Sequence, residues 1–369
     1  MKMVCSKQAL VNGVNIVSKA IPARTSMSIL ECILIFASND SIKLIANDME
    51  LGIETTIDGD VNDPGTIALD AKIFGDIVKR LPDGPITIES DENLKAKITC
   101  LKAKFNLPGR SGDDFSYLPN IERDDYITIS QYTLKEIIRQ TVFSISENEN
   151  NKLMTGELFE INDDKLRVAS LDGHRISIRN IELRHKYEPR KVVVPGKTLI
   201  EISKILSGEV EKEVNIFFME NYVIFEFDRT VVVSRVIEGE YFDIDQMMSG
   251  DTDIKVLVNR KDLLSSIERS TLLVKEGDKK PVIIGIEDER MELKINSTIG
   301  SMTEELSIEK EGDDLLIGFN PRFMIDALRA VDDEMVSMYF MTSRSPCIIR
   351  DDKGKYIYLI LPINFKTVQ

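Results

Sequence analysis

The chain has 369 residues, 43% apolar and 30% charged, which is longer than a single hydrophobic core usually grows and too rich in apolar residues for long disorder. Four scattered cysteines (Cys5, Cys32, Cys100, Cys347) with no C-x-x-C pair, and only two histidines, exclude a disulfide framework and give a metal centre little to be built from, so no cofactor is expected and the thiols should be reduced and mostly buried. The net charge of −15 argues against a nucleic-acid partner unless the basic residues gather on one surface.

At the N-terminus Lys2 and Lys7 precede no apolar core with a cleavage site, and no later stretch approaches 18 consecutive apolar residues. A cytoplasmic protein without membrane contact is expected. The first predicted helix, 7–19, carries Leu10 and Val14 one turn apart. A period-2 strand, Ile42 to Ala46, follows the polar turn Asn39-Asp40. Next comes a helix over 72–80 with Lys72, Asp76 and Lys79, then an acidic connector from Gly112 to Pro119.

The same series then returns. Helix 133–143 carries Leu134 and Ile138, strand Leu166 to Ser170 follows Asp163-Asp164, helix 197–206 carries Lys197, Glu201 and Lys204, and a connector runs from Glu238 to Asp245. A third series has helix 260–270 with Leu263 and Ile267, strand Met291 to Ile295 after Asp288-Glu289, helix 322–330 with Arg322, Asp326 and Arg329, and a last strand from Tyr356 to Pro362. Lys72, Lys197 and Arg322 are spaced by 125 residues both times, a register that chance similarity does not keep. The expected fold is therefore α+β, one unit repeated three times over 1–125, 126–251 and 252–369. Two helices per copy cannot cover both faces of the strands, so they should lie on one side of antiparallel sheets.

The six helical windows carry fourteen Lys or Arg against six Asp or Glu, a net of +8 in a chain whose remainder carries −23. Helices sharing one side of their sheets would then present a basic face on an acidic body, as suits a polyanion held on one surface and repelled elsewhere. Scattered single charges without a recognition helix fit sequence-independent phosphate contact, weak at about 10⁻⁴ to 10⁻⁶ M and salt-sensitive.

With the three-fold repeat, the segments Leu171-Asp172-Gly173-His174-Arg175, Val194-Pro195-Gly196-Lys197, Gly318-Phe319-Asn320-Pro321 and Leu359-Ile360-Leu361-Pro362 resemble the bacterial sliding clamp family, the β subunit of DNA polymerase III, over the whole length. The resemblance implies a head-to-tail homodimer closing a ring of six similar domains around duplex DNA, helices lining the hole. It also implies an ATP-driven clamp loader that opens the ring, and the replicative DNA polymerase and other clamp-binding proteins as clients. This chain has no G-x-x-x-x-G-K-[ST] loop, which assigns the ATP chemistry to a partner.

The resemblance also implies a hydrophobic peptide cleft between the second and third domains, made of Met154, Leu171, Gly173, His174, Arg175, Ile176, Phe242, Met247, Pro346, Leu361, Pro362 and Ile363. The chain departs from the family at Gln246, where arginine is common, and in its tail from Asn364 to Gln369. For DNA contact, Arg24 and Lys197 match family positions at the inner surface. Helix placement adds Lys72, Lys79, Arg80, Lys135, Arg139, Lys204, Arg269 and Arg329. Two other classes stay open: an enzyme using Asp172 and His174, although no activated nucleophile is apparent, and a repeat scaffold that binds only protein.

Overall fold

The computed structural model describes residues 1–115, 126–248, 252–274 and 280–365. The boundaries expected near 125 and 251, the connector residues Ser116 to Pro119 and the tail residues Lys366 to Gln369 lie outside them. Seven α-helices are described: α1 (Lys7–Val17), α2 (Ala71–Arg80), α3 (Gln131–Thr141), α4 (Gly196–Ile205), α5 (Ile244–Met248), α6 (Arg260–Thr271) and α7 (Pro321–Ala330). Six coincide with the predicted windows to within two residues at either end. Their starts are set by side-chain caps that accept otherwise orphaned N–H groups: Ser6 from Ala9, Asp70 from Ile73, Asn259 from Lys261 and Asp262, and Asn320 from Arg322. Each such cap contributes about 1 kcal/mol, and Pro321 occupies the first turn of α7, where no N–H is needed.

The acidic pattern at 238–245 predicts only a connector, but that segment runs into α5. One turn and a half is too short to show a helical period, and its local signal is Asp243, whose carboxylate accepts the Gln246 N–H at 3.0 Å. The polar turn at Asp163-Asp164 falls inside a strand assignment, Gly156–Leu171. Glu160 and Arg167 nonetheless pair at 3.6 Å, whereas seven residues of extended strand would part them by about 23 Å. The chain doubles back there, with Asp163 at φ 59° and the ladder register shifting on both sides of it.

The chain forms two compact units, Met1–Lys135 with Lys197–Val236, and Glu136–Gly196 with Ile237–Gln369. In the first, a five-stranded antiparallel sheet runs in the order Gly59–Asp63, Lys2–Ser6, Pro85–Ser90, Lys95–Cys100, Ala103–Pro108. An eight-stranded sheet runs Tyr126–Ser130, Glu213–Phe218, Tyr222–Phe227, Thr230–Arg235, Leu51–Ile57, Ser41–Asn47, Cys32–Ser38, Gly65–Asp70. Helices α1 and α2 pack against each other, burying Leu10, Val14, Phe74 and Val78. In the second unit a ten-stranded sheet runs from Gly156–Leu171 through Arg175–Pro195, Tyr356–Ile360, Cys347–Arg350, Met335–Phe340, Ile254–Asn259, Ser301–Glu311, Arg290–Asn296 and Val282–Glu287 to Leu315–Phe319. There α6 and α7 pack side by side over a core that includes Val256, Leu263, Ile284, Phe319 and Leu328. The four cysteines are free and buried.

Each unit holds a seam between two sequence repeats. Thr230 to Ser234 of the second repeat pairs with Thr55 to Leu51 of the first. Arg175 to Arg179 of the second pairs with Ile360 to Tyr356 of the third. The numbers on both strands advance by 125 from the first seam to the second, so Val231↔Glu54 becomes Tyr356↔Arg179. The repeats are joined by main-chain hydrogen bonds into continuous sheets, which is why compactness does not follow the repeat boundaries.

Candidate functional site

Residues 171–176 form a tight hairpin corner in the second unit. Gly173 sits at φ 87°, the left-handed region that favours glycine, with nothing within 4 Å of where a Cβ would stand, so backbone conformation and not space selects it. Asp172 Oδ1 accepts the N–H groups of His174 at 2.9 Å and Arg175 at 3.1 Å, closing the turn locally. The other oxygen of Asp172 accepts Arg175 Nε at 2.9 Å. Arg175 Nη1 donates to Asp326 at 2.7 Å and Nη2 to the Phe143 carbonyl, and the guanidinium lies 4.4 Å from the Phe323 ring centroid and 5.4 Å from that of Phe143.

This arrangement fixes Arg175 at the corner. Its side chain is 11% exposed and tied to the corner, to α7 and to the residues after α3. His174 does remain exposed, its ring stacked on Phe323 at 6.1 Å. Asp172 has both oxygens engaged by Arg175 and main-chain donors and does not orient the imidazole, so the hydrolytic pairing of these two residues has no geometric basis.

Leu171, Ile176, Met154 and Phe242 meet in one apolar cluster with Leu158, Val193, Ile244 and Leu359. Leu171 and Ile176 are its buried floor, while Met154 and Phe242 are only partly covered. The Leu361 N–H donates to the His174 carbonyl at 2.9 Å, which brings the chain's last strand to the corner. Cys347 pairs with Ile360, so Pro346, one step on, comes beside Leu361. Met247 on α5 and Leu361 are the exposed large apolar candidates at 46% and 39%, whereas Pro362 and Ile363 are half-buried. Sequence reasoning missed Phe323, Tyr241 and Met248. Phe323 could have been found as an aromatic beside the buried stripe of α7, which Met324, Ala327 and Leu328 form.

The basic candidates divide sharply. Arg24, Lys72, Lys79 and Arg80 are exposed and have no acidic partner among the described residues. By contrast, Lys197 pairs with Asp48 at 3.0 Å, Lys204 with Glu201 at 2.6 Å, Arg329 with Glu268 at 2.7 Å, and Arg269 with Glu304. Lys135 donates to the Leu206 carbonyl at 3.2 Å. Arg139 is the most fully engaged of them: Glu136, Asp332 and the carbonyls of Arg329 and Ala330 take up its guanidinium. A cation so committed has little left to offer a phosphate.

Comparison with known proteins agrees with this architecture. The models of the N-terminal, central and C-terminal domains of the DNA polymerase III beta subunit match residues 1–119, 128–243 and 246–364. The beta sliding clamp of Staphylococcus epidermidis is 34% identical over 374 residues, covering 98% of this chain and 99% of that protein. Among solved structures, a putative DNA polymerase III beta subunit from Eubacterium rectale is 62% identical with a TM-score of 0.97, covering 99% of this chain and 100% of that one. The DNA polymerase sliding clamp of Bacillus subtilis is 33% identical with a TM-score of 0.96 over the same shares. With all three domain models matched in order, the chain belongs to the DNA polymerase III beta subunit family.

Proposed function

We propose that this chain is a non-enzymatic processivity factor for DNA polymerase. Two copies close head to tail into a ring of six similar domains, divided in each chain near 125 and 251. The ring surrounds duplex DNA without reading sequence and tethers the replicative polymerase, the clamp loader and other proteins through the cleft at residues 171–176. The reading rests on the seam relation. Advancing the first seam by 125 gives the second; advancing it again on one strand, and stepping back on the other, pairs Ser301 to Glu305 with Gly109 to Phe105.

Among the described residues, both of those strands have a side without a partner strand. Ala103–Pro108 ends the five-stranded order, and Ser301 to Ser307 pairs only with Arg290 to Asn296. Their chemistry is complementary: Lys102, Lys104 and the 39% exposed Phe105 on one, Glu304, Glu305 and the neighbouring exposed Leu272 and Ile299 on the other. Because the two edges differ, the contact is heterologous, and it avoids an open filament only if the rotation closes. A backbone seam also covers two sheet edges that would otherwise invite aggregation.

The direct test joins Leu107→Cys with Thr303→Cys, residues that face each other in the extrapolated register, where opposed Cα atoms suit a disulfide. The native thiols are buried and give little background. Oxidation should link two chains through both contacts, and a loader should then place uncrosslinked protein on circular DNA that retains it until the circle is cut. Efficient dimerisation without crosslinking would refute the register; equal retention on linear and circular DNA would refute the ring.

A further inference from the structure

We infer that Phe365 anchors a C-terminal strap and so positions Leu361, Pro362 and Ile363 for peptide binding, a role that rests on the cleft reading above. After strand Tyr356–Ile360, the Leu361 N–H donates to the His174 carbonyl at 2.9 Å, and two residues on the Ile363 N–H donates to the Gly318 carbonyl at 2.8 Å. Pro362 between them has no N–H. The strap is thus held at one end to the corner of the second repeat and at the other to Leu315–Phe319, the last strand of the ten-stranded order.

Phe365 supplies the hold at the far end. A Cβ added to Gly318 would stand 2.7 Å from Phe365 Cδ1, 3.1 Å from Cε1 and 3.2 Å from the Ile363 carbonyl oxygen, so the ring lies against bare glycine backbone. Gly318 is not among the residues with positive φ, and what the position uses is its small size. Glycine weakens a strand interior unless something packs over it, and an aromatic ring laid across an edge glycine restores that packing. The ring shares a groove of about 730 Å³ with Ile283 and Leu316, which gives it apolar neighbours on the sheet's outer surface. Three of the proposed cleft residues therefore lie on a segment pinned by one side chain that is outside the cleft.

The test measures a short peptide carrying glutamine and apolar anchors, titrated calorimetrically into the full-length dimer and its variants. Phe365→Ala and, independently, Gly318→Val should each weaken peptide binding by about tenfold, the scale of removing one buried anchor. Phe365→Leu should recover most of it, and hydrogen exchange at Ile363 should quicken in the weakened variants while the chain stays folded and dimeric. Wild-type affinity in Phe365→Ala despite faster exchange at Ile363 would overturn the positioning role. Failure of the wild type to bind any such peptide would instead overturn the cleft reading, and the positioning role with it.

Discussion

Arg175 and Asp326, 151 residues apart in sequence, meet at 2.7 Å between Nη1 and Oδ2, and this contact fastens the corner of the second repeat to a helix of the third. Removing the Arg175 side chain leaves Asp172 Oδ2 and the Phe143 carbonyl without that donor and two aromatic rings without their cation. Arg175→Ala should cost about 3 kcal/mol, the lower end for breaking a buried pair because Asp326 is partly exposed. Lysine should not rescue it, since an ammonium cannot satisfy three separated acceptors in the guanidinium's plane. Denaturant unfolding of both variants checks this, and equal stability of wild type and Arg175→Lys would contradict it.

Glu157 is fully buried, with one oxygen beside Thr141 Oγ1 at 2.9 Å and the other without a partner among the described residues. Burial pushes its carboxyl up from 4.5 to about 8, only partly offset by Thr141. The native protein keeps a proton that the unfolded chain gives up, so stability is full below about 4.5 and is lost as pH rises towards about 8. In that window the native state binds one proton more, a slope of about −1.4 kcal/mol per pH unit from this group. Glu157→Gln should flatten the slope and raise stability at pH 8 relative to wild type in a denaturation series. An unaltered slope would mean that the carboxyl ionises freely.

The division among basic residues predicts an uneven grip on DNA. Changing Lys72, Lys79 and Arg80 to Gln should lower duplex affinity and reduce the log–log salt slope, by up to about 0.9 for each phosphate no longer neutralised. The same change at Lys204, Arg269 and Arg329, each already paired with an acid, should move the slope much less. Binding titrations across a salt series separate the two sets, and equal effects would show that phosphate displaces the acidic partners.

At the cleft, Met247→Asp and Leu361→Asp put charge on the two most exposed apolar positions, which the fold does not need buried. Peptide binding should be lost with the dimer intact. By contrast Ile176→Asp, in the cluster floor, should destabilise the second unit itself. Calorimetry beside size measurement distinguishes loss of a surface from loss of structure.

Much of this was legible in the chain. The 125-residue register carried three copies of the unit, and helical spacing of Leu10 with Val14, or Leu263 with Ile267, located helices whose buried faces are those residues. What escaped depended on residues meeting across the fold. The partners of Arg175 are an aspartate on α7 and a carbonyl beyond α3, neither implied by local pattern. The same holds for Glu304 and Glu268, which neutralise Arg269 and Arg329. The pairs Glu136–Arg139 and Glu201–Lys204 were visible as three-residue spacings, and tallying net helix charge concealed them.

The seams between repeats are written in peptide groups, the one part of the chain that every amino acid except proline supplies alike. Threonine faces threonine at one position, and arginine faces isoleucine at another, on the same ladder geometry. A lineage carrying such a suture is free to change the side chains along it without losing the join between neighbouring repeats, provided no proline enters and the inward-facing alternation is kept. Duplication followed by long divergence then leaves three dissimilar stretches of sequence and one recurring suture.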